Sequence, residues 1–462
     1  MRNVKLHNNG REKSRNVKLH SNGRKKSRNV KLHSNGRKKS RKYKKSRSTS
    51  WLIILIFILV LLILLIGLLK YFLVKEEKEL VEKISSHYNE FVHTKEEVNI
   101  YNKDEEIIGK LYNSSISLED ISIDKNTKYF KIKDFEDAYI KYDDVEIIDS
   151  LPIIDTRYKK YIVFNQNVVT NDKTTFYDND DNKVYEFYKS FDLPIIIKEN
   201  DKYGVEFNNR LLYIKKYDVN EIKDNYNTDL NNSSGVGVLN YHAFYDETNP
   251  DEVAKCTTVI CHSKAQFKTH LDYFKNNNIL TLTMKEMEMY IDGKLQLPKS
   301  VLITIDDGPK TEHAVDMLTE YKMNATIFLV TSWVDESIYY KTDYIEFHSH
   351  SHDLHDVGVC PGGQGGAIKC LDRNTLLEDL RQSREDLNGS TVFCYPFYEF
   401  NNYSISVLKE AGFTMAFMGQ VPTYYGYKLA EVGCDKFRIP RFVIVNYTTI
   451  EDIDNYFNEI KN

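Results

Sequence analysis

Cysteine is missing from the first 255 of the 462 residues, and acidic residues are almost missing from the first 50. No pair of the six cysteines has the two-residue spacing typical of a zinc-thiolate motif. Disulfide bonds are therefore the favoured use of these thiols; spacing cannot assign the partners, and a zinc-thiolate site stays the alternative. The net charge of −4 divides into about +18 on residues 1–50, where Glu12 is the single acid, and about −22 on the rest, so the two parts face different surroundings.

The apolar run from Trp51 to Leu69 has no small-residue cleavage site and is too long for a secretory signal peptide. With the residues up to Val74 it is long enough to cross a bilayer as a helix, and it is more uniformly apolar than a buried core helix. We predict a transmembrane helix over residues 51–74. The basic flank before it and the Glu-rich flank after it predict a cytoplasmic N-terminus, with everything after about residue 75 outside the cell.

A 13-residue repeat fills the N-terminal tail, with three near copies over residues 2–14, 15–27 and 28–40. The repeat is too short and too polar to bury a core, so residues 1–50 are expected to form a disordered cytoplasmic tail. Its charge would be attracted to anionic lipid. Nucleic-acid binding is the alternative, but a solvated tail is favoured and no nucleic-acid partner is expected.

Two stretches after a predicted polar stalk (75–95) are rich in short β-prone runs of Tyr, Ile, Val and Phe, broken by Asn and Asp. A weak repeat links them, since Tyr139-Ile140-Lys141 returns as Tyr213-Ile214-Lys215. We predict two small all-β modules, over 96–150 and 160–225. They resemble bacterial SH3-like wall-binding modules, and the alternative is that they are spacers without a ligand.

A polar linker around residues 225–235 precedes an alternation of predicted strands and amphipathic helices. The strand candidates are 236–241, 300–305, 325–330, 344–347, 391–395, 414–418 and 437–445. The helix candidates are 265–275, 312–321, 375–387, 404–410 and 450–460. About seven β/α steps predict an α/β domain over 235–462, a distorted or incomplete (β/α) barrel whose functional residues lie at the carboxyl ends of its strands.

Two motifs follow strands of this predicted barrel, Ile303-Thr304-Ile305-Asp306-Asp307-Gly308-Pro309 and His348-Ser349-His350-Ser351-His352. One carboxylate and two imidazoles can form an N,N,O metal site with positions left open for water and substrate. The adjacent carboxylate is then placed to take a proton from that water. The residues therefore predict metal-assisted hydrolysis of an amide or ester.

Both motifs resemble those of the polysaccharide deacetylases of the NodB-homology group, carbohydrate esterase family four, over residues 235–462. Two details are similar to the subclass that acts on poly-N-acetylglucosamine and related surface glycans. Phe393-Cys394-Tyr395-Pro396-Phe397 lacks the arginine that most relatives carry. The family's last motif, a strand ending in histidine, has its counterpart at the start, in Val238-Leu239-Asn240-Tyr241-His242, as in circularly permuted members.

This resemblance implies a role for each site residue. A divalent metal ion, with zinc as the default, would be held by Asp307, His348 and His352. Asp306 would be the general base and His242 the general acid, and a backbone N–H near Phe397 would face the oxyanion. Arg441 could supply the charge of the missing arginine, the alternative being a salt bridge at the rim. His350 and His355 are expected around the site or at the surface.

The expected function is metal-dependent removal of N-acetyl groups from N-acetylglucosamine in peptidoglycan or a related surface polysaccharide, by a membrane-anchored enzyme. A β-1,6-linked exopolysaccharide is the alternative substrate that the subclass implies, whereas the wall-binding modules favour peptidoglycan. Peptide amides or simple esters are a further alternative. A catalytically inactive wall-binding protein is the alternative from another class. The missing arginine and Tyr398, which stands where relatives usually have Gly, support this alternative, and the intact set of Asp306, Asp307, His348 and His352 opposes it.

Overall fold

The structure is a computed structural model that describes residues 48–85, 91–94, 96–119, 129–151, 156–225, 232–334, 342–419 and 428–458. Residues 1–47 of the predicted tail and part of the predicted stalk lie outside the described residues. The chain divides into two compact units, Met1–Glu77 and Lys78–Asn462.

A single long helix, α1 (Ser48–Ser85), contains the predicted membrane segment. Within it Ile53–Lys75 forms an apolar stretch of 23 residues, in which an 18-residue segment has a mean hydropathy of 3.3 and no buried side chain. A helix of this length rises about 35 Å, enough for the hydrocarbon core of a bilayer. The long apolar helix is thus confirmed, and its orientation in a membrane stays a prediction.

Among the described residues, fourteen short antiparallel strands follow α1. They are β1 (Phe91–Thr94), β2 (Val98–Tyr101), β3 (Ile107–Leu111), β4 (Ser115–Ser117), β5 (Tyr129–Lys131), β6 (Tyr139–Lys141), β7 (Val145–Ile148), β8 (Gln166–Thr170), β9 (Thr174–Tyr177), β10 (Lys183–Phe187), β11 (Asp192–Lys198), β12 (Lys202–Phe207), β13 (Arg210–Lys215) and β14 (Val219–Asp224). Three form a sheet in the order β4-β1-β7, and the other eleven form a sheet in the order β14-β8-β11-β12-β13-β9-β10-β3-β2-β6-β5. The all-β prediction for this part of the chain is confirmed.

The two predicted modules share one sheet and one hydrophobic core. Strand β10 pairs with β3, with Tyr185 opposite Leu111 and Phe187 opposite Gly109. A Cβ on Gly109 would lie 2.4 Å from a backbone oxygen of β10, so glycine permits this close pairing. Buried side chains from both stretches form a single cluster. The two stretches therefore do not pack as separate cores, and their SH3-like character stays a prediction.

Parallel strands and helices make up the rest of the second unit. The strands are β15 (Gly237–Tyr241), β16 (Ala243–Tyr245), β17 (Cys261–Ser263), β18 (Leu280–Thr281), β19 (Ser300–Ile305), β20 (Ala325–Leu329), β21 (Ile345–Ser349), β22 (Val392–Cys394), β23 (Met415–Phe417) and β24 (Phe442–Val443). The helices are α2 (Pro250–Lys255), α3 (Lys264–Asn276), α4 (Met284–Ile291), α5 (Glu312–Tyr321), α6 (Arg373–Asp386), α7 (Asn402–Ala411) and α8 (Ile450–Asn458).

Eight of these ten described strands form a parallel sheet in the order β23-β22-β21-β20-β19-β15-β24, with β18 also paired to β19, and β16 and β17 form a separate two-stranded sheet. Strand β19 is buried along its whole length, as expected for a continuous apolar run covered on both faces. Phe417 of β23 also bridges Ile439, three residues before β24, so the chain at this point links the two ends of the sheet. The prediction of an α/β domain built on a distorted or incomplete barrel is confirmed.

The β-rich region, which contains strands β1 to β14, packs directly against the α/β domain. Ile197 of β11 bridges Leu295, and Ile162 bridges Gln296. Tyrosine and isoleucine side chains of the β-rich region belong to the same hydrophobic cluster as α4. The two regions are thus held together by a common core, beside the predicted linker, of which residues 226–231 lie outside the described part.

Candidate active site

A cavity of about 1160 Å³ opens at the carboxyl ends of the parallel strands. His242 follows β15, Asp306 and Asp307 follow β19, and His350 follows β21, and all four line this cavity. Parallel strands present their carboxyl ends at one edge of the sheet, which explains why side chains distant in sequence meet here.

Asp306 forms a buried bidentate ion pair with Arg441. Its two carboxylate oxygens lie 2.7 and 2.8 Å from Nη1 and Nη2 of the guanidinium, and both side chains are almost completely buried. Arg441 also donates to the carbonyl oxygen of Met418 at 3.0 Å, which fixes its position. Burial alone raises the pKa of Asp306, but the charge and hydrogen bonds of Arg441, together with His350 and His242, hold the pKa below its usual range. Asp306 is therefore ionised and oriented.

Cys394 lies beside this ion pair. Its thiol is 3.0 Å from Nη2 of Arg441 and 3.4 Å from Oδ2 of Asp306. A thiol is small, so it leaves the space that the guanidinium fills from the other side of the barrel. The structure thus brings Arg441 to Asp306, where the fifth-strand motif itself lacks an arginine.

Asp307 faces two imidazoles instead of a cation. Its Oδ1 lies 3.5 Å from Nε2 of His350 and 3.3 Å from Nε2 of His355, and this buried oxygen accepts no hydrogen bond from the described residues. Asp307 also has a left-handed backbone conformation (φ 75°). This conformation is strained for a residue other than glycine, and such strain is common at functional sites.

The hydrogen bonding of His350 fits a metal ion at this point. Its Nδ1 lies 2.9 Å from the carbonyl oxygen of Cys394, which can only accept, so Nδ1 donates and Nε2 presents a lone pair toward Asp307. Metal-binding histidines are oriented in this way, by a hydrogen bond from the other ring nitrogen. One carboxylate oxygen and two imidazole nitrogens therefore converge here, and together they form the donor set of an N,N,O site.

A second trio, Asp306, His350 and Cys394, also has its ligand atoms within 4.8 Å of one another. Arg441 contacts both Asp306 and Cys394, and its positive charge opposes a cation at that position. Asp307, His350 and His355 are thus the better metal-binding set.

The structure does not bring the predicted ligands His348 and His352 to Asp307. His348 lies within β21, and its Nδ1 pairs with Ser390 Oγ at 2.8 Å. Beyond the left-handed Ser351 (φ 82°) the chain turns, and Nδ1 of His352 lies 2.8 Å from Oγ1 of Thr331 and 3.1 Å from Asp386. The correction to His350 and His355 has a simple cause: the predicted strand ended at residue 347, whereas β21 ends at 349. Two residues of strand correspond to about 6.6 Å, which moves the ligand position from His348 to His350.

His242 lies at the same edge, and Tyr398 covers it. The Tyr398 hydroxyl is 3.4 Å from Nε2 of His242 and donates to Oδ1 of Asn240 at 2.7 Å. Burial lowers the pKa of His242, and the carboxylates of Asp306 and Asp307 counteract part of this effect. Phe397, the other residue of this turn, has its ring centroid 4.3 Å from that of His355, with the two ring planes tilted by 46°.

Two disulfide-closed loops line the cavity. One is closed by Cys256 and Cys261 and the other by Cys360 and Cys370, whereas Cys394 and Cys434 are free thiols. Glu399, outside the second loop, accepts hydrogen bonds from the backbone N–H groups of Gln364 and Gly366 within it and pairs with Lys369 at 2.8 Å. The loop is therefore tied to the cavity wall at several points.

An aromatic residue adds to the rim. Trp333 lies with its ring 5.0 Å from that of His355 and is 46% exposed. Exposed aromatic faces suit the stacking of a sugar ring. Tyr424, an aromatic residue that could line the same groove, lies outside the described residues.

Comparison with known proteins gives a match to a family model and to several relatives. Residues 294–416 match the polysaccharide deacetylase family model. A poly-beta-1,6-N-acetyl-D-glucosamine N-deacetylase of Staphylococcus aureus (strain MSSA476) is 29% identical over 208 residues, which is 39% of this chain and 67% of that protein. The enzyme of the same name from Staphylococcus epidermidis is 28% identical over 225 residues, 42% of this chain and 72% of that protein.

Two solved structures are also similar to part of this chain. A de-N-acetylase from Aggregatibacter actinomycetemcomitans is 22% identical, with a TM-score of 0.41. The match covers 48% of this chain and 99% of the de-N-acetylase chain. IcaB from Ammonifex degensii is 20% identical, with a TM-score of 0.41, and covers 49% of this chain and 98% of its own. The family model covers Asp306, Asp307, His350 and His355, and it leaves out His242 and Arg441.

Proposed function

Because the C-terminal half of this chain is a polysaccharide deacetylase domain, we propose that it removes N-acetyl groups from N-acetylglucosamine residues of a cell-surface polysaccharide. The observation that carries the proposal is the contrast between two adjacent carboxylates. Both carboxylate oxygens of Asp306 accept hydrogen bonds from Arg441. In contrast, the buried Oδ1 of Asp307 lies near two imidazole nitrogens and accepts no hydrogen bond from the described residues. One carboxylate is thus suited to proton transfer and the other to binding a cation.

Asp307, His350 and His355 would hold a divalent cation, with zinc as the default for two imidazoles and one carboxylate. When bound, such an ion supplies Lewis acidity that activates water and polarises the acetyl carbonyl. Asp306, ionised beside Arg441, takes the proton of the attacking water. As the C–N bond breaks, His242 gives a proton to the departing amine, and acetate and a free amino group result. A backbone N–H near Phe397 would stabilise the negative charge on the carbonyl oxygen.

Two glycans are candidate substrates. The staphylococcal relatives are named for poly-beta-1,6-N-acetyl-D-glucosamine, which favours that class of polymer. Peptidoglycan is favoured by the resemblance of residues 96–150 and 160–225 to wall-binding modules. Similarity over more than 200 residues outweighs that weaker resemblance, so we place the β-1,6-linked polymer first.

An inactive wall-binding protein is the alternative function, and the ion pair weakens the case for it. That alternative rested on Tyr398 and on the missing arginine, and Arg441 now supplies the positive charge beside Asp306. The long apolar helix α1 supports a single membrane span, with the basic tail inside the cell and the enzyme outside.

The test is acetate release by residues 78–462 from poly-β-1,6-N-acetylglucosamine, peptidoglycan and chitooligosaccharides, with added zinc or with chelator. Asp306→Asn is measured beside the unmodified protein. Metal-dependent release that the substitution abolishes would support the proposal and rank the substrates. If metal binds and no glycan loses acetate, the wall-binding function is correct.

A further inference from the structure

We propose that Tyr398 is a positioning residue that keeps a proton on Nε2 of His242, the nitrogen that can reach a substrate. The inference rests on the proposed function, in which His242 donates a proton to the departing amine. Nδ1 of His242 is buried and has no hydrogen-bond partner among the described residues, so it is closed to substrate. Nε2 is the nitrogen that lies beside the Tyr398 hydroxyl.

The side-chain amide of Asn240 can take only one orientation. Its side-chain nitrogen donates to the backbone carbonyl oxygen of Tyr241 at 3.1 Å, and a carbonyl oxygen can only accept. The amide oxygen therefore points toward Tyr398, 2.7 Å from its hydroxyl. Asn240 is completely buried, so water does not compete for this oxygen.

The orientation of Asn240 determines where the hydroxyl proton of Tyr398 lies. An amide oxygen is an acceptor, so Tyr398 must donate to Asn240. Its one proton is then used, and toward His242 the phenolic oxygen can act only as an acceptor. The contact of 3.4 Å is consequently a weak hydrogen bond in which Nε2–H of His242 donates. A neutral His242 thus carries its proton on Nε2, at the cavity, and the imidazolium form that gives a proton to the departing amine donates from the same nitrogen and returns to neutral imidazole.

The Tyr398 side chain is fixed in place. Phe397 (φ 55°) and Tyr398 (φ 60°) are two successive left-handed residues, a conformation that non-glycine residues rarely adopt. The Tyr398 ring lies 5.6 Å from the guanidinium of Arg441. A Cβ on Gly419 would lie 2.4 Å from this ring, so glycine leaves the space that the ring occupies. Tyr398 therefore belongs to the built site and does not act as a movable cap.

The experiment compares Tyr398→Phe with Tyr403→Phe in the full chain, solubilised in detergent and loaded with zinc. Both substitutions remove a tyrosine hydroxyl that donates one hydrogen bond, and the Tyr403 hydroxyl donates to Leu371 at 2.8 Å, away from the cavity. Because one weak hydrogen bond is lost, kcat for acetate release should fall about tenfold in Tyr398→Phe. KM and bound zinc should not change, and Tyr403→Phe should keep the kcat of the unmodified protein.

Asn240→Ala supplies a readout that a merely structural role would not move. Without its acceptor, the Tyr398 hydroxyl can donate to Nε2 of His242, which favours the proton on Nδ1. Magic-angle-spinning ¹⁵N spectra of histidine-labelled protein, assigned by difference with His242→Ala, distinguish the two ring forms. We expect Nε2–H in the unmodified protein and a shift toward Nδ1–H in Asn240→Ala, which adding Tyr398→Phe partly reverses.

Two results would overturn the inference: a proton on Nδ1 of His242 in the unmodified protein, or equal kcat values for the two tyrosine variants. Absence of acetate release from the unmodified protein would instead reject the proposed function. The nitrogen spectra test the hydrogen-bond chain in either case.

Discussion

At the scale of single residues, partners decide what Asp306 and Asp307 can do. The two carboxylates are adjacent in sequence, and both are largely buried. Arg441 neutralises the first, whereas the second has two imidazole nitrogens close to an oxygen without a donor. The same residue type therefore serves proton transfer at one position and cation binding at the next.

The metal site gives a direct prediction about four histidines. His350→Ala and His355→Ala should each lower zinc affinity by more than about 100-fold, because loss of a ligand exceeds the effect of losing a ligand's hydrogen-bond partner. His348→Ala and His352→Ala serve as controls and should retain zinc. Isothermal titration calorimetry of each metal-free variant with zinc measures the four affinities. Loss of zinc from the His348 variant alone would restore the ligand set predicted from the sequence.

The buried ion pair predicts that removing Arg441 alone lowers stability more than removing both charges. Arg441→Met leaves the Asp306 carboxylate buried without its partner, and should lower the free energy of unfolding by about 3–5 kcal/mol. Adding Asp306→Asn removes the buried charge, so the double variant should recover part of this loss while staying inactive. Urea unfolding followed by circular dichroism measures both. Equal stability of the single and double variants would show that the charge is solvated in some other way.

At the scale of secondary structure elements, long periodic segments could be predicted from the sequence and short ones could not. Strand β19 and helix α5 have the predicted bounds, 300–305 and 312–321. Helix α4 was missed, although Thr283 and Glu286 form the capping box that marks its start. The end of β21 was misplaced by two residues because local propensity does not show where a strand loses its neighbours.

Glu286 connects two elements and predicts a pH dependence. It caps α4 through the backbone N–H of Thr283 at 2.8 Å, and it also pairs with Arg157 and accepts from the Tyr161 hydroxyl at 2.5 Å. Burial alone raises the pKa of Glu286, but Arg157 outweighs it and lowers the pKa. A lowered folded-state pKa means that this stabilisation is present above the unfolded-state pKa of about 4.3 and is lost as the pH falls below it.

Glu286→Gln should therefore lower the unfolding free energy at pH 7 by about 3 kcal/mol and flatten its decrease between about pH 5 and pH 3. Chemical unfolding at a series of pH values measures this difference. The matched control is Glu97→Gln, which breaks the solvent-exposed pair with Lys110 and should leave the pH profile unchanged. A Glu286→Gln profile parallel to that of the unmodified protein would contradict the assignment.

At the scale of the second compact unit, the β-rich region is part of the enzyme's support. Tyr158, Ile197 and Tyr213 lie in one hydrophobic cluster with Met284 and Met287 of the barrel domain. Removing the β-rich region would expose this apolar surface to water, which is unfavourable in proportion to its area.

Residues 232–462 alone should consequently melt at a lower temperature than residues 78–462, and should aggregate more readily on heating. Differential scanning calorimetry and light scattering measure the two effects. Equal melting temperatures would show that the β-rich region is only a spacer, the alternative that the sequence left open.

The sequence by itself determined the apolar helix, the all-β and α/β regions, and the Asp306-Asp307 and histidine motifs, because hydrophobic period and residue type are local properties. Only the tertiary structure decided that His350 and His355 face Asp307, that Arg441 pairs with Asp306, and that the predicted modules share a core. These facts depend on where strands end and which strands are neighbours in the sheet. Contacts between residues far apart in the chain set both, and no local pattern encodes them.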